Sequence, residues 1–194
     1  MEALEAILTR RSTRKYKDEV PSKELLEKVI EAGRYAPSGS NSQKTHCIVF
    51  TDRKMLDELA EIVKGEFAKM ELDEDAYISL KNSVNASKKG TYVFHYGAPV
   101  FIVVANKKDY GNAMADSACA LENMMIAANA LDLGSCWINQ LHWLDSSEAV
   151  RKAMYAHGLG EDETITGGLI VGYPAEGLPN RKQTERTGNP ITWL

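Results

Sequence analysis

The sequence predicts a single α-and-β domain spanning residues 1–194, of the α/β or α+β class. Two observations carry this. Apolar stripes at helical spacing alternate with short apolar runs in the order helix, helix, strand, helix, strand, helix, strand, helix, strand, and some strand-to-strand connections pass through helices. The composition, 44% hydrophobic and 26% charged, is that of a globular domain able to bury a core without disulfide or metal staples. Neither an internal repeat nor a low-complexity linker divides the chain.

Residues 2–10 read as a short helix with Leu4, Ile7 and Leu8 on one face. Residues 22–36 read as a second. Ser22 after Pro21 supplies its N-cap, and Leu25, Leu26, Val29 and Ile30 form its stripe. Glu24 and Glu27 place negative charge where the helix dipole favours it. Proline, glycine, serine and asparagine make residues 36–41 a loop. A strand follows at 46–51, then an amphipathic helix at 53–70 with Leu56, Leu59, Ile62, Val63 and Phe67 inward. Residues 71–97 show no sustained period. They are acidic, then polar, then rich in Tyr92, Val93, Phe94 and Tyr96, as in partly helical excursions that form lids or binding loops.

The unbroken apolar run at 100–105 predicts a central strand buried on both faces. Residues 112–131 predict a long helix rich in alanine, apolar around most of its circumference and therefore largely buried. Asp116 and Glu122 argue against its spanning a membrane. A turn into a strand is expected at 133–139, a helix capped by Asp145 at 145–157, and a glycine-containing strand at 165–173. The remaining tail is polar and basic and ends in the apolar Ile191, Trp193 and Leu194.

The net charge of -4 does not attract nucleic acid or an anionic membrane, so any anion site must be local. The most apolar stretch, 98–105, is far shorter than the ~20 residues that span a bilayer. Glu2 and Glu5 interrupt any signal-peptide core at the N-terminus. Three cysteines, Cys47, Cys119 and Cys136, make no disulfide framework, and a reducing cytoplasm is the expected compartment. No cysteine–histidine cluster has zinc-site spacing, so no metal is expected. No glycine-rich dinucleotide fingerprint or Walker loop is present.

Two clusters carry chemistry. Arg10, Arg11, Ser12, Thr13 and Arg14 place three guanidinium groups and two hydroxyls at a helix end, a local anion site in an acidic protein. The competing reading is a solvated basic run that offsets the helix dipole. Pro37, Ser38, Gly39, Ser40, Asn41, Ser42 and Gln43 offer neutral donors and acceptors to the edge of a heterocycle, or merely connect a helix to a strand.

Taken together, the two clusters resemble the opening of the nitroreductase family: R-R-S-x-R-x-F/Y, an acidic turn, a helix, then A-P-S-x-x-N-x-Q. Arg10, Arg11, Ser12, Arg14 and Tyr16 match the first part, and Ala36, Pro37, Ser38, Asn41 and Gln43 the second, with the expected spacing between them. Downstream, Ala98-Pro99-Val100, Leu133-Gly134-Ser135-Cys136-Trp137 and Gly172-Tyr173-Pro174 are similar to further family segments.

The resemblance implies an α+β fold with a mixed or antiparallel sheet flanked by helices, an intertwined homodimer, and FMN at the subunit interface. It implies that Arg10, Arg11, Ser12 and Arg14 hold the FMN phosphate and ribityl chain, with Arg181 or Lys182 completing the phosphate site. Pro37, Ser38, Gly39 and Asn41 would reach the flavin from the other subunit, and Cys136, Trp137, Ile138, Asn139 and Gln140 would lie along its ring. Arg11 is the candidate to stabilise negative charge at the pyrimidine end. The implied activity is hydride transfer from NADH or NADPH, through the flavin, to nitroaromatic, quinone or similar acceptors by a ping-pong mechanism. No catalytic acid–base pair is needed, because the cofactor carries the chemistry. The alternatives are a dehalogenase or flavin-cleaving enzyme on the same fold, and a non-enzymatic FMN-binding protein. The chain departs from the family pattern at Lys44-Thr45-His46 after Gln43 and at Trp137-Ile138-Asn139-Gln140 at the flavin edge, departures that bear on the substrate side more than on flavin binding.

Overall fold

The structure is a computed structural model and describes residues 1–177, 179–182 and 185–194. Along the chain run α1 (Ala3–Thr9), α2 (Lys23–Arg34), β1 (His46–Phe50), α3 (Arg53–Ala68), α4 (Ile78–Lys88), β2 (Val100–Lys107), α5 (Ala113–Ala130), β3 (Gly134–Ile138), α6 (Gln140–Trp143), α7 (Glu148–Ala156) and β4 (Glu163–Gly172). The four strands form one sheet in the order β1-β2-β4-β3, and every pairing is antiparallel, which makes the class α+β. Helices between strands left α/β open in the sequence: a parallel pair needs a crossover, but a crossover does not force a parallel pair.

β2 is buried from Val100 through Asn106 because helices cover both faces of the sheet. Phe101, Val103 and Ala105 join a cluster with Leu56, Val63 and Phe67 of α3 and Met154 of α7. Val100, Ile102 and Val104 join a second cluster with Val29 of α2 and Leu121, Met124 and Ala128 of α5. Burial on both sides removes any need for alternation, so the strand reads as a continuous apolar run. On β4, Val104 pairs with Gly167 and Ala105 with Ile165, which leaves Thr166 as an extra residue. This bulge reverses side-chain parity, so Ile165 and Ile170 share one face.

Ser22 caps α2 by accepting from the Leu25 N–H at 3.3 Å. The helix predicted at 145–157 is shorter than expected, and its cap is Ser147, which accepts from the Val150 N–H at 3.3 Å. Asp145 instead accepts from Arg151 at 2.9 Å, the Thr164 hydroxyl at 2.7 Å and the Ile165 N–H at 3.0 Å, tying α7 to β4. The short α6 follows β3 directly, where no helix was expected.

Two helices bury less than their sequences suggest. On α1 it is Ala6 and Thr9 that are buried, while Leu4, Ile7 and Leu8 face outward. On α5 one face is buried, whereas Met114, Ala115 and Cys119 are exposed. Ile191, Trp193 and Leu194 are also exposed, so apolar surface is left open at three places on one chain. Among the described residues no helix is long and apolar enough to cross a membrane.

His95 lies just before β2, 1% exposed, and among the described residues neither ring nitrogen has a hydrogen-bond partner. Burial, helped by Arg53, depresses its pKa to about 4 against the opposing pull of Asp57. The unfolded chain takes up a proton near pH 6.5 that the folded chain refuses until about pH 4. Stability should therefore fall as pH drops through that window, by about 3 kcal/mol at its acid end. His95→Phe should flatten this limb; urea unfolding midpoints at acid and neutral pH measure it, and a variant with the wild-type acid loss would clear His95 of the role.

Candidate cofactor site

After α1 the chain turns out at Arg10 and lies along the ends of β3 and β4. Ser12 pairs with Ser135 in a parallel bridge, and the Thr13 N–H donates to the Ser135 carbonyl at 2.9 Å. Tyr16 pairs with Pro174, the Lys17 N–H reaches the Tyr173 carbonyl at 2.9 Å, and the Ala175 N–H reaches the Lys15 carbonyl at 3.0 Å. Gly134 has to be bare for this seating, since a Cβ there would stand 2.7 Å from the Thr13 side chain. Tyr16 donates to the Thr13 carbonyl at 2.6 Å, and burial holds its hydroxyl far above the usual phenol range. The basic segment, the Gly134-Ser135-Cys136-Trp137 segment and Tyr173-Pro174 thus form one surface.

The arginines gather around α1 and the outer side of α5. Arg10 pairs with Glu122 at 3.4 Å. Arg11 turns back on its own helix, donating through Nη1 to the carbonyls of Leu8 at 3.0 Å and Arg10 at 2.6 Å. Its Nε and Nη2 are buried without a partner among the described residues. Arg181 donates through Nη2 to the Asn129 carbonyl and the Asp132 carboxylate, both at 2.6 Å, and its Nε is likewise buried without a partner among the described residues. Asn129 in turn donates to Ala6 and Thr9 of α1, so Arg181 is anchored where α1 meets α5. A buried donor left unsatisfied costs about 1–3 kcal/mol. Three such guanidinium nitrogens fit a group that brings anionic oxygens, as an FMN phosphate does. Lys182 is exposed, with its backbone N–H on the Asn180 side chain at 3.0 Å.

A cleft of about 480 Å³ opens beside β3. Cys136, Trp137, Ile138, Asn139 and Gln140 line one side, and Tyr77, Asn82, Ser83, Tyr92 and Tyr96 the other. Arg14 lies on its wall with its guanidinium 5.7 Å from the Tyr96 ring, and is the one charged residue among the described residues lining the cleft. Tyr92 exchanges a 2.8 Å hydrogen bond with Ser83, and burial pushes its hydroxyl up to about 12. Trp137 donates to the Asn139 side chain at 2.5 Å and packs with the α5 cluster, so its ring is an anchor of the wall. The second wall comes from residues 71–97, whose individual lining residues the sequence did not single out. Its signal was the three tyrosines 77, 92 and 96 around a polar helix; α4 has too weak an apolar stripe to disclose which side faces inward.

Pro37, Ser38 and Asn41 line a different cleft of about 420 Å³, with Arg34, Gln43, Asp116 and Ala120. Ser40, Asn41 and Gln43 all have positive φ, near 50°. Such non-glycine conformations cost about 1–3 kcal/mol each and persist where the surroundings hold them. The Gly39 N–H donates to both carboxylate oxygens of Asp116 at 3.2 Å, and the Tyr110 hydroxyl donates to Asp116 at 2.8 Å.

The two clefts share no lining residue. One chain therefore joins Ser12 and Arg14 to the end of β3, and Arg10 and Arg11 to Arg181 around α1 and α5. Pro37, Ser38, Gly39 and Asn41 stand at the opposite end of α5. Asp116 lies in its first turn and Asn129 in its last, about 20 Å apart along the axis at 1.5 Å per residue.

Comparison with known proteins gives a consistent picture. The model of the Nitroreductase family matches residues 7–173. A protein of Archaeoglobus fulgidus, provisionally named an NADH dehydrogenase/NAD(P)H nitroreductase, is 31% identical over 175 residues, covering 90% of this chain and 87% of the relative. A nitroreductase from Bacteroides fragilis, solved with bound FMN, is 36% identical with a TM-score of 0.87, covering 100% of this chain and 99% of that one. A second FMN-bound nitroreductase, from Desulfitobacterium hafniense, is 25% identical with a TM-score of 0.80, covering 99% of this chain and 100% of the other.

Proposed function

The chain belongs to the Nitroreductase family, and from that premise we propose that it is an FMN-dependent oxidoreductase that uses NADH or NADPH to reduce quinones, nitroaromatics or similar planar acceptors, working as a homodimer with flavin at the subunit interface. The observation that carries this reading is the set of buried guanidinium nitrogens of Arg11 and Arg181, without partners among the described residues, on the same surface as a tyrosine-lined cleft whose one charged described lining residue is Arg14. One end lacks an anion, and the other suits a flat ring. FMN, when bound, would supply the two-electron redox chemistry of hydride transfer.

The protein's own residues bind, orient and exclude water. Arg10, Arg11 and Ser12, with Arg181 or Lys182, hold the phosphate and ribityl chain. Cys136, Trp137, Ile138, Asn139 and Gln140 run along the ring. Arg14, rather than Arg11, offsets negative charge at the pyrimidine end, because Arg14 lines the cleft while Arg11 is turned back onto α1. Pro37, Ser38, Gly39 and Asn41 of a second copy close the site. Their separation from the arginines within one chain, and the exposed apolar surface of α1, α5 and the tail, support a site shared between two copies. The free thiols fit a reducing compartment such as the cytoplasm.

Comparing FMN with riboflavin tests the phosphate assignment. Arg11→Ala should weaken FMN by roughly 10- to 100-fold, in line with about 1.5–3 kcal/mol for a hydrogen bond to a charged group, and leave riboflavin affinity nearly unchanged. Equal weakening of both ligands would return Arg11 to the task of closing α1.

Analytical ultracentrifugation of the flavin-loaded protein should find a dimer that does not dissociate on ordinary dilution, with an interface above about 2,000 Å². A monodisperse, flavin-loaded monomer would defeat the shared-site arrangement.

With no second nucleotide motif, donor and acceptor must use the same cleft in turn. Double-reciprocal plots should be parallel. Asn139→Ala and Gln140→Ala should shift acceptor preference more than flavin affinity. Intersecting plots, with a ternary complex detected by isotope exchange, would rule out the single shared site.

A further inference from the structure

The loop between α2 and β1 combines two features that ordinarily exclude each other. Three of its residues, Ser40, Asn41 and Gln43, are left-handed without being glycine. The loop nevertheless has a defined course, with Asn41 and Gln43 lining a cleft. A short connector with that backbone relaxes unless something outside it fixes the ends.

The fixing group is on α5. Asp116 is 6% exposed, an unusual burial for a carboxylate, and the described residues place no arginine or lysine on it. Both of its oxygens accept from the Gly39 N–H at 3.2 Å, and Oδ2 also accepts from the Tyr110 hydroxyl at 2.8 Å. Tyr110 lies 3.2 Å from the Gly39 carbonyl and 2.9 Å from the Ser42 hydroxyl, so it meets the loop on both sides of the left-handed Ser40 and Asn41. Lys44 covers the Tyr110 ring at 4.4 Å. The fit is tight: a Cβ on Gly39 would stand 2.2 Å from the Asn112 side chain and 2.6 Å from the Tyr110 hydroxyl.

We propose that Asp116 is a positioning residue: with Tyr110 it clips the 37–43 loop to the first turn of α5 and so presents Pro37, Ser38, Gly39 and Asn41 to the flavin held by a second copy of the chain. This rests on the proposed flavin site and adds to it a residue that touches neither cofactor nor acceptor. Asparagine is a poor substitute, since it is uncharged and puts a donor NH2 in place of one of the two carboxylate oxygens that accept from the Gly39 N–H.

The test compares the wild-type holoprotein with Asp116→Asn and Tyr110→Phe. The rate of FMN release after dilution is followed by flavin fluorescence, and amide hydrogen exchange is followed by segment. Asp116→Asn should release FMN about tenfold faster and Tyr110→Phe about threefold faster, the scale of one lost hydrogen bond. Amides at 39–43 should exchange faster in both, while β2 and β4 keep wild-type protection. Wild-type release rates in both variants overturn the proposal. So does faster exchange spread over β2 and β4, which would make Asp116 a general stabiliser. Tyr110→Phe keeps the ring beneath Lys44 and the Asp116 charge, so it decides the matter alone if Asp116→Asn does not accumulate as folded protein. A wild-type protein that binds no FMN is a different result, and brings down the flavin reading itself.

Discussion

Burial of the inner face of α5 against β2 and β4 is the constraint on which the other features depend. Leu121, Met124 and Ala128 pack with Ile102, Val104 and Leu169, and α2 lies on the same helix closely enough that a Cβ on Gly33 would meet Met124 at 2.8 Å. Each large apolar side chain buried there contributes about 1.5–3 kcal/mol. That packing fixes both ends of α5 relative to the sheet. The first turn then carries Asp116 toward the 37–43 loop, and the last turn carries Asn129 toward α1 and Arg181. One rigid helix thus sets the positions of two groups of polar residues that are distant in the same chain.

The other side of the sheet answers a different demand. There α3, α4 and α7 cover Phe101, Val103 and Ile165 with a conventional core. What α4 adds, with Tyr77 before it and Tyr92 and Tyr96 after it, is a wall of tyrosines and small polar side chains opposite the end of β3. Such a wall can satisfy aromatic ligands by stacking and by few hydrogen bonds. It imposes little charge selection, because Arg14 is the charged member of the described lining. Narrowness in such a site has to come from shape and from Asn139 and Gln140, where the chain departs from the family pattern.

How far the sequence disclosed this varies with the physical origin of each feature. Two-sided burial makes β2 legible as an apolar run, and Ser22 marks the start of α2 because its cap is local. The cap of α7 was misplaced because Asp145 and Ser147 are both good caps by residue type; only the tertiary pull of Arg151, Thr164 and Ile165 assigns Asp145 elsewhere. The strand direction was open because it depends on how connections return, which no local period records. At the site, the arginine cluster and the 37–43 loop were visible as residue types at a spacing, whereas the turning back of Arg11 onto the Leu8 and Arg10 carbonyls is a side-chain direction that residue type does not record, and the bond from Gly39 to Asp116 depends on packing across 77 positions of sequence. α4 hid its lining residues because a half-exposed polar helix has almost no stripe to read.

The apolar surface left on one chain and the separation of the two residue groups have a common explanation on the proposed reading. Leu4, Ile7 and Leu8 on α1, Met114 on α5, and Ile191, Trp193 and Leu194 on the tail are too many large apolar groups to leave in water without a partner. On that reading a second copy related by a two-fold axis would cover them and bring the first turn of its α5 beside the arginines of the first, since an isologous contact repeats each juxtaposition twice. Cofactor affinity and association then become linked quantities: a flavin that binds only the assembled site favours assembly by mass action, and assembly completes the site. The linkage also accounts for the strain tolerated at residues 40–43. A loop that relaxed in the separate chain would have to be ordered at the moment of binding, and the ordering would weaken the cofactor. Held beforehand by Asp116 and Tyr110, it would on the proposed reading meet the second copy already in the conformation that binding requires.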